Sequence, residues 1–147
     1  MCVEEAGRKM KLLDYAKAAG VAFILLAINV LIVILVVMVY ALFIEPGHPS
    51  EFYDEAAKWL APWCLHTAGT ALFFVAGWFL TTRQPERNAY QMVMIVTLFY
   101  LFIDAASVGF AGIWSVGFAL SMLAKLLASL AGAFAGSRFR SKPAHPR

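Results

Sequence analysis

Three side chains in an otherwise oily chain have the chemistry to exchange a proton or hold a charge: Asp104, Lys125 and His66. An acid, an amine and an imidazole are the parts of a proton relay, or of a buried ion pair with a polar neighbour. Lys125 lies in SMLAKLLASL, inside an apolar run from about Ile113 to Gly136. Asp104 lies in AYQMVMIVTLFYLFIDAASVGFAG, and His66 in WLAPWCLHTAGTALFFVAGWFL. Hydroxyls recur around them at helical spacing. Thr97, Tyr100, Asp104, Ser107 and Ala111 are separated by steps of three and four. His66 and Thr70 lie one turn apart, as do Ser121, Lys125 and Ser129. Each set falls on one face of a helix. Lipid offers such groups no hydrogen-bond partner, so each face should turn inward. The expectation is a buried network built on Asp104 and Lys125, with His66, Tyr100, Ser107, Ser121 and Thr70 around it. Removing either charge would strand the other, at about 3–5 kcal/mol.

The elements that hold these residues follow from composition. Of 147 residues, 62% are hydrophobic and 14% charged, and the mean hydropathy is +0.75. Soluble domains are about half apolar and about a quarter charged. The fold class implied is an all-α integral membrane protein. Four runs are long enough to span: residues 18–44, 59–80, 89–112 and 113–136. The first exceeds the ~20 residues a bilayer needs, so tilt or an emergent end is expected. It is too long for a signal peptide and reads as a retained anchor. Short links at 81–88 and near Gly109–Ile113 make neighbours antiparallel. The expected architecture is an up-down-up-down bundle of four transmembrane helices.

Basic residues orient it. Arg8, Lys9, Lys11 and Lys17 precede the first run, Arg83 and Arg87 follow the second, and Arg138, Arg140, Lys142 and Arg147 follow the fourth. The segment 45–58 carries Lys58 against Glu45, Glu51, Asp54 and Glu55. Both termini are therefore expected on the cytoplasmic side, in a plasma (inner) membrane of bacterial type. Residues 1–17 read as a cytoplasmic amphipathic segment, 45–58 as an acidic extracytoplasmic loop opening a helix at Ser50, and 137–147 as a disordered basic tail. Trp59, Trp63, Trp78 and Trp114 form an interfacial belt.

At ~1.5 Å per residue, Lys125 lies roughly 18 Å, Asp104 about 12 Å and His66 about 10 Å from the outer ends of their spans. All three share one slab of the membrane. Asn29, deeper in the first span, reads as a helix–helix hydrogen-bonding residue. A stripe of small residues, Ala124, Ala128, Gly132 and Gly136, would let another helix come close. Its expected occupant is the first or third span, or another copy in a homo-oligomer or larger membrane complex.

Several functions are disfavoured. The net charge of +3 is accounted for by span ends, and no nucleic-acid surface is expected. Cys2 and Cys64 fall on opposite sides of the membrane in this topology and form no Cys-x-x-Cys relay. His48, Glu51, Asp54 and Glu55 read as a solvated acidic loop, so no metal is expected; haem on His66 would need a second chain. There is no catalytic motif, and no cofactor is expected. The sequence points first to a non-catalytic accessory or assembly protein whose Asp–Lys pair fixes helix packing. A small proton-coupled transporter or channel using Asp104, Lys125 and His66 is the alternative.

Overall fold

The computed structural model describes residues 12–83, 86–112 and 114–140. All elements are helices: α1 Leu12–Val39, continued by a π-helical turn Tyr40–Ile44; α2 Ser50–Arg83; α3 Glu86–Ala111; and α4 Val116–Arg140. Four stretches are long and apolar enough to cross a membrane: Leu12–Ile44, Ser50–Arg83, Ala89–Phe110 and Val116–Phe139. Large apolar side chains such as Phe23, Leu31, Phe102 and Leu127 stand exposed on the outside, as lipid contact requires.

Helix ends depart from hydropathy where local chemistry takes over. In the segment 45–58 the helix expected to open at Ser50 does so, and it runs unbroken into the second span as α2. Ala56 is buried there, and Lys58 Nζ donates to Glu55 Oε1 at 2.7 Å one turn away. Pro62 lies inside α2 without ending it. Between α3 and α4, Gly112 adopts a positive φ of 68°, the left-handed conformation that closes a helix. Ser115 then caps α4, its Oγ accepting the Phe118 N–H at 3.1 Å. So α4 starts at Val116, three residues beyond the hydropathic boundary. At the other end α4 continues to Arg140, so residues 137–140 are helical rather than disordered. Phe139 packs against Trp78 with ring centroids 5.6 Å apart, and Ser137 Oγ reaches Tyr90 Oη at 3.1 Å. These contacts hold the last turn although its composition is polar. The 1–11 part of the amphipathic segment and the 141–147 part of the tail lie outside the described residues.

The core has two parts. Ala18, Ala22 and Leu25 of α1, Phe73 of α2, and Met92, Val96 and Tyr100 of α3 form one apolar cluster. The Phe73 and Tyr100 rings meet edge to face at 4.6 Å. The second part is a glycine seam between α2 and α4, the most extensive helix contact in the protein. A Cβ on Gly132 would overlap the Phe74 carbonyl, and one on Gly77 would overlap the Ser129 carbonyl. A Cβ on Gly136 would stand 2.8 Å from the Trp78 carbonyl oxygen. Only glycine permits this approach of two backbones. The occupant of the small-residue stripe is thus α2 of the same chain, not the first or third span expected for it. Ala124 and Ala128 are half-buried, and Ala128 leans on the apolar cluster. The buried face of α4 runs through Ser121, Lys125, Ser129, Ala133 and Gly136.

Candidate functional site

Lys125 is 2% exposed, and its Nζ donates to Asp104 Oδ2 at 2.9 Å. Asp104 belongs to α3 and its side chain is 18% exposed, so the pair joins α3 to α4. The ammonium also stands 5.0 Å from the centre of the Tyr100 ring, whose face attracts a cation. Tyr100 lies one turn before Asp104 and points to α1, where Asn29 Nδ2 meets its Oη at 2.6 Å. Glycine again provides the space. A Cβ on Gly69 of α2 would stand 3.2 Å from Lys125 Cε and 3.4 Å from Asn29 Nδ2. The lysine stem and the asparagine amide therefore share one pocket over Gly69, and all four helices contribute to it.

The remaining members of the expected network divide. Ser121 is buried one turn before Lys125, and its Oγ is sealed with no protein partner among the described residues. His66 is half-buried; its Nδ1 is likewise sealed and partnerless, and its Nε2 lies 3.9 Å from where a Cβ on Gly117 would stand. Thr70 donates to the His66 carbonyl at 2.5 Å, which spends its hydroxyl proton on its own helix. Ser107 is exposed and does the same with Ile103 at 2.9 Å. Ser107 is therefore outside the cluster: near the Gly112 end of α3 the neighbours fall away, and Phe110 is 95% exposed.

Asn29, expected to bond one helix to another, does so inside this cluster, and Gly69 belongs to it although no expectation named it. The spacing Gly69, Phe73, Gly77, Thr81 on α2 carried the signal, since all four prove buried at steps of four. Among the described residues no group of three His, Cys, Asp or Glu is placed to hold a metal ion. His48 belongs to a separate exposed cluster, stacked on Phe52 at 4.2 Å with its Nε2 3.3 Å from Glu45.

No family model, curated protein or solved structure matches the chain. Its chemistry is therefore read from the cluster itself. One ammonium, one carboxylate, a phenol and an amide meet in a site that is closed around the ammonium and partly open at the carboxylate. Such a site can hold a fixed charge pair or exchange a proton.

Proposed function

We propose that this is a small, non-catalytic membrane protein of accessory or assembly type, in which the Asp104–Lys125 pair fixes how the helices pack. The observation that carries the reading is the closed pair: a lysine 2% exposed, 2.9 Å from its carboxylate, beside two helices in backbone contact. Such packing suits a part that must keep one shape.

The arrangement inferred is up-down-up-down. Tyr40 lies against Trp59 and Asn29 beside Gly69, so α1 and α2 run in opposite senses. Lys125 meets Asp104 and Ser137 meets Tyr90, so α3 and α4 do too. The order of contacts between α2 and α4 (Gly69 with Lys125, Gly77 with Ser129, Trp78 with Gly136) runs the same way along both. With the basic residues cytoplasmic, both termini face the interior of a cell bounded by a bacterial-type plasma membrane. Partners beyond the lipid bilayer are a second copy or a larger membrane complex. Because Gly132 and Gly136 already receive α2, association through α4 would use its exposed Leu120, Leu123, Leu127 and Phe134.

A second reading, the proton-coupled transporter or channel, is favoured by one observation: sealed, partnerless polar atoms on His66 and Ser121, on the face that leads to the pair. Reconstitution in liposomes with an internal pH-sensitive dye separates the two. The structural reading expects no proton flux beyond the lipid background from wild type, Asp104→Asn, or the paired variant Asp104→Leu/Lys125→Met. Flux in folded wild type that is lost in a folded variant overturns it in favour of transport.

A further inference from the structure

Five buried polar atoms lie on or beside the α2–α4 seam without enough protein partners; Thr81 Oγ1 stands apart, at the Gly136 level, and the other four gather about the ion pair. Ser121 Oγ, His66 Nδ1 and Asn29 Oδ1 are sealed and make no hydrogen bond among the described residues. Lys125 Nζ has three N–H donors, and among the described residues Asp104 is the one hydrogen-bond acceptor it meets. Exchanging the two ends of the Asn29 amide would not help, because its nitrogen would then be the partnerless atom. Each such group left dry keeps its full desolvation penalty. Neighbouring hydroxyls show the contrast: Thr70, Thr97 and Ser129 each donate to a carbonyl of their own helix.

The atoms fall in sequence along one line. Gly117, Ser121 and Lys125 are four residues apart on α4, hence ~6 Å apart along its axis at ~1.5 Å per residue. His66 stands at the Gly117 level, and Asn29 shares the Lys125 level through Gly69. A step of ~6 Å is too long for one hydrogen bond and close to the span of two bonds of ~2.8 Å through one intervening oxygen. Gly117 is exposed, so the His66 end approaches the surface while its Nδ1 points into the sealed interior. Polar walls with two or more unspent partners per step are what a buried water requires.

We propose that the α2–α4 seam binds a short file of water molecules that joins His66 to the Lys125–Asp104 pair through Ser121 and ends at Asn29. The ligand is water itself, held by two acceptors, an imidazole nitrogen and the unspent ammonium protons. The file solvates the pair from one side and connects it with the surface at the Gly117 end. The file would serve the polar atoms under either reading of function, so its test does not depend on which of the two holds.

Radiolytic labelling in oxygen-18 water tests it, because hydroxyl radicals form from bound water in place. Purified full-length protein in lipid nanodiscs is irradiated and analysed by mass spectrometry. Tyr100, 1% exposed and beside the ammonium, and His66 should be oxidised severalfold faster than Phe73, which is also 1% exposed and meets the Tyr100 ring edge to face but carries no polar atom. Ser121→Val, similar in size and without a polar atom, should reduce Tyr100 labelling severalfold while leaving exposed Trp63 unchanged. Ser121→Ala serves if the valine variant fails to fold, and should reduce it in the same direction. Tyr100 and His66 labelling no faster than Phe73 in wild type overturns the proposal. So does Tyr100 labelling that is indifferent to every folded Ser121 variant.

Discussion

If Asp104 and Lys125 hold α3 to α4, the three variants Asp104→Leu, Lys125→Met and their combination should rank in an order that simple additivity forbids. Asp104→Leu leaves an ammonium 2% exposed with, among the described residues, an aromatic face and neutral groups near it. Breaking a buried pair in this way costs about 3–5 kcal/mol. Lys125→Met leaves a carboxylate whose side chain is 18% exposed. That exposure lets water reach the charge, so this cost should fall at or below the lower end of the same range, about 3 kcal/mol. The double variant strands nothing. Leucine and methionine of similar volume replace two desolvated charges, and the result should lie within about 1 kcal/mol of wild type, or above it. Equilibrium unfolding in mixed micelles by SDS titration, followed by tryptophan fluorescence, reads all four proteins. Additive behaviour makes the double variant the least stable of the set; pairing makes it the most stable of the three. A double variant as unstable as the sum of the singles refutes the pairing argument. Single variants that each cost less than about 1 kcal/mol refute the burial argument, since that is the ordinary worth of a polar contact between membrane helices.

Three further outcomes follow from the same geometry. Gly132→Ala should destabilise by about 3 kcal/mol or more, because its Cβ would overlap the Phe74 carbonyl and a backbone cannot step aside; Gly20→Ala, with nothing within 4 Å, should be neutral or stabilising by up to about 1 kcal/mol in the same SDS titration. Tyr100→Phe should cost about 1–3 kcal/mol by leaving the Asn29 amide unpaired, and adding Asn29→Leu should recover part of that loss in thermal melts. Ser107→Ala should change stability by less than about 0.5 kcal/mol, since its hydroxyl is exposed and bonded within its own helix.

The number of apolar helices was legible because composition alone rules out a soluble surface of this size. The approach of Lys125 and Asp104 was legible because both depths follow from rise per residue and both charges need a partner. Ser107 shows where such reasoning stops. It shares a stripe with Tyr100 and Asp104, but spacing gives only the face, and cover depends on whether a neighbour reaches that level. Met92, Val93, Val96, Thr97 and Tyr100 are covered, whereas Gly109 and Phe110 are not. The partner of the small-residue stripe was misread for a related reason. The glycines of α4 were visible, but their counterpart on α2 is diluted by Phe73, and it takes both stripes to pair two helices. Gly112 and Ser115 carried the α3–α4 boundary in plain view, hidden by hydropathy that continues across it.

Van der Waals packing in a membrane is a weak guide to rotation, because lipid tails resemble the side chains they would replace. The α2–α4 seam escapes this through backbone contact at Gly77, Gly132 and Gly136. In contrast, α3 reaches the apolar cluster through Met92 and Val96, which lipid could imitate. Its orientation must come from groups that lipid cannot imitate. Two are available one turn apart on one face: Tyr100, bonded to Asn29 of α1, and Asp104, bonded to Lys125 of α4. A single polar tie would leave α3 free to pivot about it. Two ties to different helices fix its rotation, and the ionic one also fixes its height. By that logic the ionic tie is made to α3, where glycine could not do the same work, because that helix packs by side chains rather than by backbone.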